Sequence, residues 1–154
     1  MTSKVMASAA VLAGVGAMLV ATAPTASAAT ARNGVCEIGE ICFYYNSNQQ
    51  GSVSDFAATA SVANYGSRQP GCYEFKGAGA GKGLCMKNRA ASVWNRSYAS
   101  NVTVYYNSNY AGARQTIGRG ARANLNATLK NNNASHKTTS VPNPSCRPGV
   151  PCPR

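Results

Sequence analysis

Acidic side chains are scarce in this sequence. Its 154 residues contain four carboxylates, Glu37, Glu40, Asp55 and Glu74, and a single histidine, His136. The carboxylates are widely scattered, so a paired acid/base site has no support. A Ser-His-Asp arrangement would have to recruit Asp55, the only aspartate. No C-x-x-C pair occurs and one histidine is too few, which leaves zinc without ligands. Lys82-Gly83 lies in a glycine-rich run but lacks the Walker pattern and the helix that would follow. Beyond residue 28 no segment shows an apolar repeat of period 3.6 over about eleven residues, which argues against helices. The basic residues form no dense run and accompany no recognised nucleic-acid motif. The chain reads as a non-enzyme with no catalytic residue, no cofactor and no specific nucleic-acid partner.

What is present begins with an export signal. Lys4 supplies a positive start, Val5 to Val20 is apolar, and Ala26-Ser27-Ala28 is an A-x-A cleavage pattern. Ser8, the glycines, Thr22 and Pro24 interrupt the run before it could span a membrane. Residues 1–28 are therefore expected to be a signal peptide and 29–35 a short lead. Six cysteines follow, none in the leader. An even count in a small exported chain predicts disulfides. Spacing favours three local pairs: Cys36 with Cys42, Cys72 with Cys85, and Cys146 with Cys152. Closing the 72–85 loop is worth roughly 3 kcal/mol in the chain-entropy picture. The net charge of +11 favours solubility and attraction to anionic walls, membranes or acidic proteins.

The strongest internal signal is a repeat. Tyr44-Tyr45-Asn46-Ser47-Asn48, with Gly51 after it, returns as Tyr105-Tyr106-Asn107-Ser108-Asn109 with Gly112 after it. Each copy follows a β-like run, Ile41-Cys42-Phe43 or Val102-Thr103-Val104, and leads through a turn into a second strand, Ser52–Phe56 or Ala113–Ile117. Lys87-Asn88-Arg89-Ala90-Ala91-Ser92 then matches Lys130-Asn131-Asn132-Asn133-Ala134-Ser135. The glycine-to-serine interval runs from 51 to 92 in the first copy and from 112 to 135 in the second. The first unit thus carries an insertion, expected near 57–85 and holding Cys72 and Cys85.

Two related four-strand units packed face to face would bury alternate residues. The expected inward set is Phe43, Tyr45, Phe56, Val62, Val93, Trp94, Val104, Tyr106, Ile117, Leu125 and Leu129. Tyr65, Tyr73, Tyr98 and Tyr110 are left freer to be exposed, and His136 is placed at a strand end. Residues 138–154 read as a Pro-rich tail with a small disulfide loop, closed by Cys146 and Cys152.

Tyr105-x4-Tyr110-x-Gly112, followed by Ser135, resembles the Greek-key signature of the βγ-crystallin superfamily. In the first unit Tyr44, Gly51 and Ser92 keep their places, with Gln49 where an aromatic stands in the second. The opening Cys36-Glu37-Ile38-Gly39-Glu40-Ile41-Cys42-Phe43-Tyr44, after a signal peptide, is similar to the secreted Streptomyces-type metalloproteinase inhibitors. So is the Asn-Arg-Ala-Ala-Ser-Val string followed by an aromatic. The resemblance covers about residues 36–137. It implies an all-β, βγ-crystallin-like Greek-key sandwich of two motifs, 36–97 and 102–137, stapled by disulfides. It further implies a secreted peptidase inhibitor, a monomer whose partner is an extracellular protease.

One departure matters. Those inhibitors present a second disulfide-closed loop in their second unit, whereas this chain has no cysteine between Asn88 and Asn143. The candidate inhibitory loop is therefore the insertion, with Tyr73, Glu74, Phe75, Lys76 and Leu84 as its contact residues. The alternative is a basic wall- or membrane-directed protein resembling killer-toxin-like βγ-crystallins. A third reading is a calcium-stabilised module using Asn131, Asn132 and Ser135. Calcium prefers carboxylate oxygens, which both Asn strings lack, so binding is not expected.

Overall fold

The aromatic and β-branched runs on either side of the repeated Asn/Ser turns become strands because alternate side chains find a common core. A computed structural model describes residues 30–142. It contains β1 (Glu40–Tyr44), β2 (Val53–Ala57), β3 (Ser92–Asn95), β4 (Ser100–Asn107), β5 (Ala111–Ile117), β6 (Arg122–Asn124) and β7 (Ser135–Ser140). No helix occurs among the described residues. The expected signal peptide lies outside them.

Of the three expected disulfides, two are formed, Cys36–Cys42 and Cys72–Cys85. The third is not among the bridges of the described residues. Its two members, Cys146 and Cys152, both lie outside residues 30–142. Among the described residues the staples are the first two, and both belong to the first sequence unit.

The two sheets have the orders β2-β1-β3-β6 and β5-β4-β7, with every pairing antiparallel. Neither sheet is one sequence unit. β6, from the second unit, pairs with β3 of the first. In return Val62, from the first unit, bridges His136 in β7 through backbone hydrogen bonds of 2.8 and 3.0 Å. The units exchange their third strands, so each sheet is completed by the other half of the chain. This differs from two self-contained four-strand units. The exchange covers an edge in each sheet that would otherwise be left unpaired.

One continuous core lies between the sheets. It holds Ile41, Phe43, Phe56, Val62, Tyr65, Phe75, Met86, Val93, Val102, Val104, Ile117, Leu125 and Leu129. Three side chains lie elsewhere than expected. Trp94 follows the inward Val93, so the period of two turns it to the outer face, where it pairs across from Cys42 and Arg122. Tyr106 sits at the frayed end of β4 and is exposed. Tyr65 is fully buried, because the insertion folds it under Phe43 and His136.

The repeated corners share one backbone path. Asn48 and Gln49 take φ of 59° and 56°, Asn109 and Tyr110 take 59° and 61°, and Gly51 and Gly112 take 77° and 80°. A Cβ on Gly112 would come within 2.8 Å of the Asn107 side-chain nitrogen, so glycine is required for space as well as conformation. The hydroxyl of Ser92 donates to the Asn46 carbonyl (2.7 Å) and accepts from the Gln49 N–H (3.0 Å). Ser135 does the same with the Asn107 carbonyl (2.6 Å) and the Tyr110 N–H (3.1 Å). Gln49 thus fills the backbone place of Tyr110 without its ring, while Tyr105 and Tyr110 pack edge to face at 5.9 Å. Replacing Ser135 by alanine leaves two polar groups unpaired, and about 1–3 kcal/mol of stability should be lost. A denaturant midpoint unchanged in Ser135→Ala would show that the corner does not depend on this hydroxyl.

Candidate functional site

Between β2 and β3 the chain folds its insertion into a clamped hairpin. Cys72 and Cys85 are joined, with Cα atoms 5.6 Å apart. Beside them Glu74 and Cys85 form a bridge pair. Phe75 N–H donates to Leu84 O (3.0 Å), Gly83 N–H to Phe75 O (2.8 Å), and Met86 N–H to Tyr73 O (2.7 Å). The other side of the hairpin is seated on β2. The N–H groups of Lys76 and Gly77 both reach Val53 O (2.8 and 3.1 Å), and Ser52 N–H reaches Ala80 O (2.8 Å). The Ser54 hydroxyl donates to Glu74 O (2.9 Å), and that of Ser52 to Gly77 O.

The glycines of this run permit close packing rather than looseness. A Cβ on Gly77 would lie 2.6 Å from Val53 Cγ1 and 2.7 Å from Gly34 O. At Gly81, with φ of 90°, it would strike the Tyr45 ring. Phe75 is fully buried, its ring edge to face with Tyr45 at 5.6 Å. It anchors the hairpin to the core and offers no surface to a partner. That corrects its place among the contact residues, and strand alternation is the reason.

The N-terminal arm braces the hairpin from outside. The Cys36–Cys42 disulfide pins the arm to β1. Asp55 accepts the N–H groups of Asn33 (2.9 Å) and Gly34 (2.8 Å). Arg32 donates to Ser54 Oγ (2.5 Å) and Glu74 O (2.9 Å) and lies over the Phe56 ring at 4.6 Å. The large side chains that remain exposed on the hairpin are Tyr73 (37%), Leu84 (40%), Lys76 and Lys82. Glu74 is half-buried and takes a hydrogen bond from Gln69 Nε2 (2.5 Å). Nothing in the composition pointed to Arg32, Ser52 or Ser54 as the supports. The alternate spacing of Gly77, Gly79, Gly81 and Gly83 was the one available sign of close backbone packing.

The titratable groups are committed to structure. Asp55, Glu37, Glu40 and Glu74 all accept from amide N–H groups. Burial pushes the Glu40 carboxyl upward, partly offset by the Glu37 N–H. His136 is fully buried among Phe43, Phe56 and Tyr65. Its Nδ1 contacts the Tyr65 hydroxyl at 3.1 Å and its Nε2 contacts Ala60 O at 3.1 Å. Desolvation lowers its pKa to about 3, so the ring is neutral. Its two ring nitrogens are both taken up by these contacts, and no carboxylate hydrogen-bonds it among the described residues. Among the described residues no three His, Cys, Asp or Glu side chains gather.

The Asn strings line two shallow clefts. One holds Lys87, Asn88, Asn107, Ser108 and Asn132, and the other holds Asn46, Asn88, Arg89 and Asn131. Each carries a protein cation. The Lys87 ammonium donates to Asn64 Oδ1 and Ser108 Oγ, both at 3.2 Å. Ser135 spends its hydroxyl on the corner. Calcium is accordingly expected to move the melting temperature little. A tight binder given calcium at about 100 Kd would gain ~2.7 kcal/mol, a shift of several degrees that EDTA would reverse. Seeing that shift would reinstate the calcium site.

A family profile for peptidase inhibitor family I36 matches residues 29–117. The chain belongs to peptidase inhibitor family I36. The match spans the arm, the clamped hairpin and the first strands of the second unit. As an I36 member the protein is a peptidase inhibitor and not an enzyme. The sandwich has solved counterparts. One, described as bearing on the evolution of the eye-lens βγ-crystallin domain fold, has a TM-score of 0.51 at 13% identity, covering 77% of this chain and 96% of its own. The N-terminal domain of protein S gives 0.46 at 25% identity, with 67% and 98% covered. A βγ-crystallin domain from Clostridium beijerinckii gives 0.45 at 17% identity, with 64% and 94% covered. The first of these shows the fold of this I36 member as βγ-crystallin-like. No curated protein matches the chain.

Proposed function

We propose that the protein is exported and inhibits an extracellular metalloprotease by presenting the Cys72–Cys85 hairpin. The observation behind this is the bracing of that hairpin. It is held by a disulfide, by β2 and by the N-terminal arm, so little conformational freedom is left to lose on docking. Leu84 and Tyr73 supply exposed apolar groups of the kind thermolysin-like pockets accept, and Lys76 and Lys82 frame them. An open cleft of about 410 Å³ beside the tip, lined in part by Arg32, Asn33 and Lys82, gives a protease rim a place to seat. Loops carried by a rigid scaffold are where binding function concentrates.

The test is a titration of a thermolysin-like protease, with a subtilisin-like serine protease in parallel. Three forms are compared: the intact protein, a truncation ending at Asn143, and a variant with residues 73–84 replaced by a short Gly/Ser linker. The truncation removes both Cys146 and Cys152, and with them any ring the tail could offer. Inhibition of the metalloprotease should survive the truncation and vanish with the replacement. Loss on truncation alone would move the contact to the tail. Inhibition confined to the serine protease would refute the metalloprotease assignment.

A further inference from the structure

The outer face of the four-stranded sheet carries a second feature, at the edge opposite the hairpin. The hairpin lies along β2, whereas Trp94 and Arg122 face each other across β3 and β6 at the other side of the sheet. The Arg122 guanidinium lies 3.7 Å from the Trp94 ring centre, and that of Arg96 lies 4.4 Å from it. Arg96 is steadied by a 2.6 Å hydrogen bond to Cys36 O. Tyr98, 69% exposed, stands beside them, and Arg119 reaches the Tyr98 carbonyl at 3.5 Å. Trp94, Arg96, Tyr98 and Gly120 line an open cleft of about 200 Å³.

Two stacked guanidiniums and an unpaired aromatic ring form an anion receptor. Stacking on an indole holds a guanidinium in place; Arg96 spends one N–H on Cys36 O, and its remaining N–H groups and the fork of Arg122 are left for a ligand. The carboxylates of the described residues are hydrogen-bonded by amides; Glu40 attracts Arg96 electrostatically, and no carboxylate of the described residues hydrogen-bonds Arg122. With both guanidiniums over it, the indole is no free platform for a neutral sugar. Charged oxygens, held bidentately, fit better. We infer that this cleft binds a phosphodiester-bearing wall polymer and so retains the inhibitor at the cell surface. The expected leader and the disulfides put the protein among wall polymers rather than nucleic acids, which is why the wall is chosen as the source of phosphate. The site is separate from the hairpin, so its failure would leave the proposed inhibition standing.

The experiment measures depletion of the purified protein from solution by Gram-positive cell walls. It is run in 50 and 500 mM salt with intact walls, with walls stripped of phosphate polymers by hydrofluoric acid, and with single-stranded DNA as competitor. Arg96→Gln/Arg122→Gln should weaken binding to intact walls at least tenfold. Arg114→Gln/Lys130→Gln, which removes equal charge elsewhere, should change it less than twofold. Because Arg96 also braces Cys36, Arg122→Lys serves as a second variant. It keeps the charge but loses the fork, and should weaken binding several-fold at an unchanged melting temperature. Equal losses in the two double variants would reduce the effect to net charge and overturn the site. Full binding to stripped walls would overturn the phosphate assignment. DNA displacing the protein at equal phosphate concentration would transfer the site to nucleic acid. Protease inhibition is read alongside and should be the same in Arg122→Lys and in Arg114→Gln/Lys130→Gln.

Discussion

Acidification from pH 6.5 towards 3 is expected to remove stability at about 1.4 kcal/mol per pH unit, through His136 alone. In the fold the ring is held neutral, with a pKa lowered from 6.5 to about 3, first by desolvation and then by the charge of Arg32; the contact with Ala60 O opposes both. The unfolded chain takes up a proton below about 6.5, while the folded chain refuses it until about 3. The unfolded state therefore binds more protons throughout that window, and stability falls as pH falls across it. Tyr65, against Nδ1, stays neutral because burial raises its own pKa. Glu40 acts in the other direction: its raised carboxyl favours the folded state as pH falls towards its unfolded value of 4.5. The steepest loss should thus lie between pH 6.5 and 5. Urea midpoints at pH 7, 6 and 5 would show it, alongside His136→Gln. That variant should be less stable at neutral pH but much flatter with pH. A slope undiminished in the variant would assign the acid sensitivity to another group.

His136 also shows where reading the sequence stops. Its position beside Ser135 was legible, as was its lack of a catalytic partner. Its place at the centre of the core was not. That depends on Val62 crossing to β7 and on the insertion delivering Tyr65, pairings between residues some seventy positions apart that no local pattern encodes. The corners, by contrast, were readable because they are local: Tyr, Asn, Gly and Ser recur at fixed offsets, and the positive-φ turns follow from them. The Cys36–Cys42 and Cys72–Cys85 bridges were readable for the same reason; the same argument from spacing pairs Cys146 with Cys152, beyond the described residues. Trp94 was misplaced because it and its neighbour Val93 were both placed inward, which alternation forbids. Val93 takes the inward position, and the larger ring is turned out. Around the hairpin the sequence marked the glycines and the bridge, yet Arg32, Ser52 and Ser54 act through backbone carbonyls that become adjacent only after folding. An exposed-looking Phe75 in a glycine-rich loop turned out to be the anchor, because close packing at Gly77 and Gly81 draws the loop down onto Tyr45.

That anchoring separates two residues nine positions apart in one loop, Phe75 and Leu84. Phe75→Ala empties a fully buried site and should cost about 3–5 kcal/mol, lowering the melting temperature by on the order of 10 °C or more. Leu84, 40% exposed, should cost under about 1 kcal/mol on the same change. Their effects on inhibition should rank the other way once both proteins are assayed well below their melting points. Leu84→Ala removes a group proposed to enter the protease and should raise the inhibition constant about tenfold, the equivalent of ~1.4 kcal/mol. Phe75→Ala leaves Leu84 in place, and the disulfide with the β2 hydrogen bonds still restrains the loop. Its penalty on binding should therefore be the smaller, and should shrink further on cooling as the loop reorders. Thermal melts and protease titrations of the two variants at 10 and 25 °C would decide the matter. Parent-like melting of Phe75→Ala would mean that the ring does not hold the hairpin down. Parent-like inhibition by Leu84→Ala would remove this side chain from the contact and leave Tyr73 and the lysines as the remaining candidates on the loop.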